Sequence, residues 1–542
     1  MRWHLAEIWE LVADTVPDAP ALVEGDLRHS WRDYEDSAAR IASALAAAGV
    51  GVDSKVGIYA YNSSAYLQAQ FGVFKVRGVP VNANYRYTEH ELIYLLDNAD
   101  AEALVFDAQF GDRVAAIIEK LPKIKFLIEI DDGSDQHLEG AIRLEQLIAA
   151  HDPMPRRTDY SEDDIYMLYT GGTTGMPKGV MYRHGDFSQA LMGGWDMHGY
   201  VRPADGKELA AAILELQARG ASPISIPACP LMHGTGLWLG VIMPHQMGGC
   251  AVLFRNEHFD AGALWDLIAR ERVTDVAIVG DAFARPMLAA LEAAKAAGKP
   301  YDVSSLKQIT SSGVMFSREI KDGLLAFCDI AIVDTMGATE GGMGASVVSR
   351  AAPPGETAKF MANPTTKVFD ENDQEIAPGS DKIGMIANGG ATPIGYYKDP
   401  EKSAKTFRVI DGHRYSFPGD FAKIAADGTL ILLGRGSVCI NTGGEKVFPE
   451  EVEEALKAHP DVYDCLVVGV PDTRFGERVT AVLSVREGHS LDEVALLDFA
   501  RTRVAGYKMP RQLILAPEVR RAPNGKADYK WAKSVALETI AN

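Results

Sequence analysis

Two patterns of hydrophobic and polar positions alternate along most of the chain. Short, nearly continuous apolar runs predict buried strands, as in "SKVGIYA" (54–60), "AEALVFD" (101–107) and "VTDVAIVG" (273–280). Apolar residues at helical spacing predict amphipathic helices, as in "SAARIASALAAAG" (37–49) and "LAALEAAKAAG" (288–298). This alternation predicts an α/β fold in which sheets are covered by helices.

The pattern changes after Arg435. The C-terminal stretch predicts, in order, a helix at 449–459, strands at 462–470 and 478–485, a helix at 491–504 and a strand at 511–516. Pro449 at a first helical position, followed by Glu450 and Glu451, is a favourable helix start. We predict a large N-terminal domain at 1–435 and a small α+β C-terminal domain at 436–542. Within the large domain, the stretch 201–222 predicts a solvated insertion with one helix.

Composition and net charge limit the classes of function that the chain can have. The 542 residues are 47% hydrophobic and 24% charged, which is ordinary for a soluble globular enzyme. The net charge of −20 argues against a general affinity for nucleic acid or an anionic membrane, because an acidic surface repels phosphate groups at long range. Any polyanionic ligand must therefore be bound by local groups.

The pattern contains no feature of secretion or membrane insertion. Glu7, Glu10 and Asp14 interrupt the apolar residues near the N-terminus, which therefore lack the apolar segment of a signal peptide. No long uncharged apolar span predicts a membrane helix. The five cysteines are scattered, without a CxxC pair, so neither a disulfide framework nor a zinc site is predicted. A cytoplasmic location is the simple expectation.

A glycine-rich stretch, "YTGGTTGMPKG" (169–179), follows the strand-like run 165–168. Such a loop can direct several backbone N–H groups at one point, and its threonines and lysine add donors and positive charge, which suits a phosphate. Lys178 lies between Pro177 and Gly179, so this is not the common phosphate loop, in which glycine precedes the lysine. Without further signals, the stretch could equally be a surface turn.

The same stretch resembles the AMP-binding motif of the acyl-adenylate-forming superfamily, which includes acyl-CoA synthetases, aryl-CoA ligases, peptide-synthetase adenylation domains and firefly-type luciferases. Gly171 replaces the serine that is usual in this motif. Eight further blocks resemble the family in its own order: 51–92, "PLMHGTG" (230–236), "SSGVMFS" (311–317), "TMGATEGG" (335–342), "GYYKDPEKSAKTF" (395–407), "FPGD" (417–420), "GRGSVCINTGGEKVFPEEVEEAL" (434–456) and "PNGKADYK" (523–530).

The resemblance implies an ATP-dependent acyl-CoA synthetase that uses Mg²⁺. In the family, a carboxylate attacks the α-phosphate of ATP and expels pyrophosphate, and the thiol of coenzyme A then displaces AMP from the acyl-adenylate. Two unit charges in contact repel each other by about 4 kcal/mol at an effective dielectric constant of 20. Cations must therefore offset the repulsion between the carboxylate and the triphosphate.

The resemblance implies which residues bind the phosphates and the metal, from their positions in the family's motifs. Lys178 and the loop would bind the β- and γ-phosphates, and the loop residues are Thr170, Gly171, Gly172, Thr173, Thr174 and Gly175. Glu340 would be the main protein ligand of Mg²⁺, with Thr170 as a further ligand, and Thr339 would bind the α-phosphate. Without the resemblance, Glu340 would be interpreted as an exposed loop carboxylate.

The nucleoside site is implied in the same way. Asp420 would accept hydrogen bonds from both ribose hydroxyls, and Arg435 would contact the ribose or a phosphate. Adenine would lie near Gly313 and Val314, where a residue without a side chain lets the base approach the backbone. Met336, before Gly337, replaces the aromatic residue that the family usually places on the opposite face of the base, so weaker stacking is expected.

Lys526 corresponds to the family's C-terminal lysine, which reaches from the small, mobile domain to the carboxylate and the α-phosphate during adenylation. Without the resemblance it would be interpreted as a solvated lysine in a turn. For the second half-reaction this domain is implied to rotate, so that Gly443 and Gly444 leave a narrow path for the pantetheine arm of coenzyme A. The hinge falls on Ser437, where the family usually has Asp or Lys.

His233 occupies the family position at the mouth of the acyl pocket, where we predict substrate positioning rather than proton transfer. A packed core histidine is the alternative. The predicted lining of the apolar acyl pocket is Leu237, Trp238, Gly313, Met315 and Met336. A buried core helix at 237–243 would show the same pattern.

The substrate is predicted to be a hydrophobic carboxylic acid. No aspartate follows His233 at the position that commonly selects amino acids, and the stretch 434–462 looks most similar to bacterial fatty-acyl-CoA synthetases, including ligases of sterol side-chain acids. Alternatives are an aryl- or cinnamoyl-type CoA ligase and a stand-alone adenylation enzyme that loads a carrier protein. Because homodimers are frequent in the family, a homodimer is a further expectation.

Overall fold

A computed structural model gives the arrangement of the chain. It describes residues 2–170, 176–255, 258–353, 355, 358–442, 445–472, 476–522 and 525–541. Within these ranges, no helix is long and apolar enough to cross a membrane.

Helices are distributed along the whole chain. The α-helices are α1 Leu5–Thr15, α2 Trp31–Ala47, α3 Ser64–Lys75, α4 Glu89–Asn98, α5 Gly111–Ile118, α6 Leu144–Ala150, α7 His184–Leu191, α8 Gly193–Met197, α9 Gly206–Ala218, α10 Met243–Gln246, α11 Ala261–Glu271, α12 Gly280–Ala296, α13 Arg318–Phe327, α14 Pro400–Thr406, α15 Pro449–Lys457, α16 Glu493–Arg501 and α17 Tyr529–Ala541. A π-helix spans Thr235–Ile242, and short 3₁₀ turns span Ala108–Phe110, Gly436–Val438 and Gly506–Lys508.

Strands alternate with these helices. They are β1 Pro20–Glu24, β2 Leu27–Ser30, β3 Lys55–Tyr59, β4 Val79–Asn82, β5 Ala101–Asp107, β6 Phe126–Ile130, β7 Ile142–Arg143, β8 Ile165–Thr170, β9 Lys178–Arg183, β10 Ile224–Pro227, β11 Cys250–Leu253, β12 Asp275–Ile278, β13 Gln308–Ser312, β14 Ala331–Ala338, β15 Gly341–Val348, β16 Lys359–Ala362, β17 Thr366–Phe369, β18 Gly384–Asn388, β19 Gly395–Tyr396, β20 Phe407–Ile410, β21 His413–Ser416, β22 Asp420–Ile424, β23 Thr429–Arg435, β24 Ile440–Thr442, β25 Glu445–Val447, β26 Val462–Asp472, β27 Gly476–Val485 and β28 Gln512–Leu515.

These strands pair into sheets of different size. A mixed 15-stranded sheet has the order β2-β1-β11-β10-β12-β13-β14-β15-β16-β23-β22-β18-β21-β20, with β17 paired to β18. A parallel five-stranded sheet has the order β4-β3-β5-β6-β7, and β19-β9-β8 form a small antiparallel sheet. The C-terminal sheet has the order β25-β24-β27-β26, with β28 paired to β27.

Local sequence explains the best-defined of these elements. All five residues of β3 are buried, as expected for a parallel strand that is covered on both faces. Helix α2 begins after Ser30, whose Oγ accepts the Asp33 N–H at 3.1 Å while the Asp33 carboxylate accepts the Ser30 N–H at 2.9 Å. This reciprocal cap fixes the start of the helix. Its buried face then packs in the main core: Trp31, Tyr34, Ala38, Ile41, Ala42 and Leu45.

Each cluster of buried apolar side chains lies either before or after residue 435. Residues between 5 and 430 form the clusters of the N-terminal part, and residues between 440 and 536 form those of the C-terminal part. Among the described residues, no cluster of buried side chains combines both parts. We propose on this basis that the two domains meet between Arg435 and Gly436.

The predicted α/β fold class is confirmed, and each predicted strand and helix named above is present. Helix α2 begins at Trp31 rather than at Ser37, because the Ser30 cap precedes the regular apolar repeat. The predicted insertion contains helix α9, but the helix is not simply solvated: Leu209, Ile213 and Leu216 are buried in the main core.

Candidate active site

The glycine-rich stretch connects two paired strands. β8 and β9 run antiparallel, and their register ends with Thr170 opposite Lys178. These two residues therefore lie side by side at the base of the loop. The predicted phosphate contacts Gly171, Gly172, Thr173, Thr174 and Gly175 lie outside the described residues.

Lys178 lies between an acidic residue and an aromatic ring. Its Nζ is 3.3 Å from Asp399 Oδ2 and 5.6 Å from the ring centroid of Tyr396. Asp399 also accepts the Lys402 N–H at the start of α14, and this hydrogen bond, with a further contribution from Lys178, lowers the pKa of Asp399. A phosphate that approaches Lys178 would therefore compete with a carboxylate that is already ionised.

Thr339 and Glu340 form the turn between β14 and β15, whose last pair is Ala338 and Gly341. The Tyr182 hydroxyl donates to the Thr339 carbonyl oxygen at 2.8 Å, and the Tyr396 hydroxyl donates to Glu340 Oε1 at 2.7 Å. Burial, followed by the negative charge of Glu340, raises the pKa of Tyr396, so its hydroxyl stays protonated. The turn is thus held both by its backbone and by its carboxylate.

Asp420 and Arg435 are direct partners on neighbouring strands. They pair across β22 and β23, and Arg435 Nε donates to Asp420 Oδ1 at 3.3 Å. The Asp420 carboxylate raises the pKa of Arg435, which stays positively charged. This contact leaves the second carboxylate oxygen of Asp420 and the guanidinium N–H groups of Arg435 as groups that a ribose or a phosphate could meet.

Lys526 lies within electrostatic reach of this cluster. Its side chain keeps contact with solvent, but the surrounding protein, followed by the positive charge of Arg435, lowers the pKa of Lys526, while Glu340 and Asp420 oppose that shift. The C-terminal segment therefore brings a cation close to two carboxylates of the N-terminal part.

The loop that carries Lys526 packs directly against helix α12. Gly525 has φ +73°, and a Cβ at this position would lie 2.7 Å from the Ala282 Cβ and 3.5 Å from a Val279 methyl. Glycine thus satisfies both the backbone conformation and the close approach. A larger residue at position 525 would require either the loop with Lys526 or helix α12 to shift.

His233 lies in the same cleft. Burial, followed by the charge of Lys526, lowers the pKa of His233 to about 3. The imidazole is therefore neutral near pH 7, which is consistent with the predicted role in positioning a substrate. That role stays a prediction.

The π-helix at Thr235–Ile242 follows His233. Trp238 donates its Nε1–H to the Tyr166 hydroxyl at 2.7 Å and packs edge-on against Phe187, with ring centroids 5.1 Å apart. Gly313, with φ +90°, lies nearby, since a Cβ there would be 3.9 Å from Thr235 Oγ1. π-Helices are rare and often occur at functional sites, which is consistent with the predicted acyl pocket at this segment.

Other predicted contacts differ in accessibility. Val314 and Met315 are half-buried after β13, and Gly337 is half-buried near the turn. Leu237 is only 1% exposed within the main core, and Met336 is 6% exposed within the cluster of Met343, Phe360 and Leu430. The structure therefore places Leu237 and Met336 in cores rather than at accessible surfaces, and their predicted ligand contacts stay predictions.

A cavity of about 220 Å³ lies beside this region, at the carboxyl ends of β3 and β4. Its lining is mixed aromatic and polar, and includes Tyr61, Asn62, Tyr85, Arg86 and Phe283. Of the predicted site residues that the structure describes, none lines this cavity, although Pro230 of the block that carries His233 does.

The two parts of the chain meet in several small contacts. The Phe421 and Phe448 rings are 5.7 Å apart, and Arg486 and Glu319 form an ion pair of 3.1 Å. Glu450 of α15 lies against Gly434, where a Cβ would be 2.1 Å from Glu450 Oε2. That oxygen is buried and has no hydrogen-bond partner among the described residues.

The donor set suits Mg²⁺ bound with a nucleotide rather than a metal held by protein alone. No cluster of three or more His, Cys, Asp or Glu side chains that could hold a metal occurs among the described residues. Mg²⁺ is commonly held by one or two carboxylates together with substrate phosphates. A single oriented carboxylate at Glu340, close to the strands that carry Thr170 and Lys178, fits this requirement.

Comparison with known proteins identifies the family. A model of the family described as AMP-binding enzyme matches residues 9–397, and a model of the AMP-binding enzyme C-terminal domain matches residues 451–526. The chain belongs to the AMP-binding enzyme family.

Relatives match over nearly the whole chain. A 3-oxocholest-4-en-26-oate–CoA ligase of Rhodococcus rhodochrous is 42% identical, over 98% of this chain and 96% of the relative. A medium/long-chain-fatty-acid–CoA/3-oxocholest-4-en-26-oate–CoA ligase of Mycolicibacterium smegmatis is also 42% identical, over 100% and 98%. Among solved structures, ATP-bound MatB from Rhodopseudomonas palustris has a TM-score of 0.82 at 25% identity and full coverage of both chains.

The residues that hold the site together are not evident from the sequence. Tyr396 belongs to a family block that indicates no role for it, and no motif singles out Tyr182 or Ala282. Their contacts join segments far apart in the chain, so no local spacing indicates them.

We predict that Glu450→Gln stabilises the protein increasingly as the pH rises above 4.5. Burial, followed by the neighbouring Glu453, raises the pKa of Glu450 from its ordinary value of 4.5. At a pH between the ordinary pKa and the raised pKa, the unfolded chain loses the Glu450 proton while the folded protein retains it. The free energy of unfolding therefore falls as the pH rises through this range. Thermal unfolding of both proteins from pH 5 to 8 measures the difference.

Glu451→Gln is the matched control, because Glu451 is the next residue but pairs with the Lys508 ammonium at 2.5 Å. Its thermal midpoint should show no gain that grows with pH. A Glu450→Gln midpoint that stays at a constant offset from that of the wild type across this range would contradict the assignment.

Proposed function

We propose that the protein is an ATP-dependent, AMP-forming acyl-CoA synthetase that acts on a hydrophobic carboxylic acid, either a fatty acid or a steroid side-chain acid. The observation that carries this proposal is the 42% identity, over almost the full length, to ligases named for both classes of acid. The convergence of Glu340, Asp420, Arg435 and Lys526 in one cleft supports it.

Adenylation must bring a carboxylate onto a triphosphate. Lys178, Arg435 and Lys526 supply positive charge from three separate segments of the chain. The carboxylate oxygen attacks the α-phosphorus, and the bond between the α-phosphorus and the bridging oxygen breaks to release pyrophosphate. Catalysis of such a transfer is largely positioning and charge neutralisation.

The phosphates are assigned to the end of the β8–β9 hairpin. Thr170, Lys178 and the intervening loop bind the β- and γ-phosphates, and Thr339 binds the α-phosphate. Glu340, with Thr170, holds Mg²⁺, which when bound neutralises charge on the phosphate oxygens. Lys178 exchanges the Asp399 carboxylate, which lies 3.3 Å from its Nζ, for the incoming phosphate.

The nucleoside and the acid are assigned to the neighbouring strands. Asp420 binds the ribose hydroxyls, and Arg435 binds a ribose oxygen or a phosphate. Adenine lies against Gly313 and Val314, and Gly337 and Met336 border the same site. His233, Trp238 and Met315 position the acid, and Leu237 and Met336 support this pocket from within the cores.

Thioester formation requires a second arrangement of the small domain. Lys526 withdraws, and the segment with Gly443 and Gly444 approaches the acyl-adenylate to guide the thiol of coenzyme A. The thiol sulfur attacks the acyl carbon, its proton is lost to solvent, and AMP leaves. Gly443 and Gly444 lie outside the described residues, as does the side chain of the predicted hinge Ser437.

Two wider expectations remain proposals. A homodimer, implied by the family, is tested by light scattering of the purified protein at several concentrations. A cytoplasmic location is tested by fractionation of the source cells.

The function is tested by AMP release with ATP, Mg²⁺ and coenzyme A over a panel of acids. We expect turnover that depends on coenzyme A with medium- or long-chain fatty acids or with steroid side-chain acids. Turnover of aryl acids alone would contradict this proposal and indicate an aryl- or cinnamoyl-type CoA ligase. Adenylate formation without release of AMP by coenzyme A would instead indicate carrier-protein loading.

We predict that Lys526→Ala lowers adenylation from acid and ATP by at least about 100-fold, as expected for loss of a charge that acts on the transition state. Thioester formation from supplied acyl-adenylate should stay within about threefold of the wild-type rate, because Lys526 withdraws before this step. Single-turnover assays of each half-reaction measure the two rates.

Lys530→Ala, which removes an exposed lysine in the same segment, is the control and should leave both rates unchanged. Equal losses in both half-reactions of Lys526→Ala would contradict the assignment of Lys526 to adenylation.

A further inference from the structure

Tyr396 links two predicted active-site residues through different parts of one side chain. Its hydroxyl donates to Glu340 Oε1 at 2.7 Å, and the Lys178 ammonium lies 5.6 Å from the centroid of its ring. The backbone of Tyr396 is itself fixed, because β19 pairs with β9 and the Tyr396 N–H donates to Ser403 Oγ at 2.8 Å. The side chain therefore extends from a rigid strand.

A carboxylate on a turn can rotate about its side-chain bonds. A hydrogen bond to one oxygen restricts that rotation and leaves the other oxygen oriented for a ligand. Of the two residues in the β14–β15 turn, Thr339 is held by its carbonyl and Glu340 by its carboxylate. Only the hydrogen bond from Tyr396 acts on a carboxylate, which is the group that would bind a metal.

We propose that Tyr396 is a positioning residue that orients the Glu340 carboxylate toward Mg²⁺ bound to ATP. This inference rests on the proposed function, in which Glu340 holds that ion. The ring of Tyr396 also fixes the approach of Lys178, so that one residue sets the relative positions of the acidic and basic groups around the phosphates.

The packing of Tyr396 does not account for its hydroxyl. The residue is 6% exposed, and its ring packs against Phe407 with centroids 5.3 Å apart. A phenylalanine would preserve this packing and the position of Lys178. The hydroxyl, which also interacts with the buried Thr406 side chain, can therefore be removed while the packing of the ring is kept.

The next residue offers a matched control. The Tyr397 hydroxyl also donates to a carboxylate, that of Asp100, at the same distance of 2.7 Å. Asp100 pairs with Lys123 and Lys398 and belongs to none of the predicted sites. Tyr397→Phe thus removes an equivalent hydrogen bond from an adjacent position.

The test measures Mg²⁺-dependent binding of ATP by calorimetry and by thermal stabilisation, without acid or coenzyme A. Tyr396→Phe should raise the Mg²⁺ concentration for half-maximal binding by about 10-fold, as is typical when the partner of a metal ligand is removed. Tyr397→Phe should match the wild type. Without ligand, the thermal midpoints of both variants should be close to each other.

A double-variant cycle separates positioning from general damage. If Tyr396 acts through Glu340, Tyr396→Phe should cause no further loss of Mg²⁺ affinity in a Glu340→Gln background. Additive losses would overturn the proposal. A wild-type affinity for Mg²⁺ in Tyr396→Phe, beside a reduced affinity in Glu340→Gln, would overturn the inference alone. Unchanged Mg²⁺ dependence in Glu340→Gln would overturn the metal role in the proposed function as well.

Discussion

The Thr339–Glu340 turn depends on two tyrosine hydroxyls, and much of the cleft depends on that turn. Tyr182 binds its backbone and Tyr396 its carboxylate, and both tyrosines lie in the small sheet that also carries Thr170 and Lys178. The hairpin with the glycine-rich loop and the acidic turn are therefore oriented by one set of strands. This arrangement fixes opposite charges before a ligand arrives, as electrostatic catalysis of an attack on a phosphate requires.

The C-terminal part completes the charge pattern through limited contacts. Lys526 approaches Glu340 and Asp420, while the contacts between the two parts include one aromatic pair, one exposed ion pair and the buried Glu450. Small, mixed interfaces of this kind favour relative motion of domains. The buried Glu450 carboxyl, whose pKa is raised by burial and by the neighbouring Glu453, weakens the interface further where it is ionised.

Sequence reasoning reached the fold more easily than the site. Strands β3 and β5 are nearly continuous apolar runs because parallel strands are buried on both faces. The start of α15 is predicted by Pro449, which lies at its first position. The π-helix at Thr235–Ile242 could not be predicted, since its apolar pattern also fits an ordinary buried helix. Tyr182 and Tyr396 act through contacts across the fold, and the burial of Leu237 and Met336 depends on neighbours that sequence spacing does not reveal.

We propose that the described arrangement of the two domains forms the adenylate and that thioester formation needs another arrangement. Cross-linking tests it directly: cysteines at Glu319→Cys and Arg486→Cys, on opposite sides of the 3.1 Å ion pair, are joined by a short bis-maleimide. Single-cysteine variants treated in the same way account for reaction at native cysteines. We expect the cross-linked protein to retain acid-dependent exchange between ATP and pyrophosphate but to lose thioester formation. Full retention of both activities after complete cross-linking would contradict it.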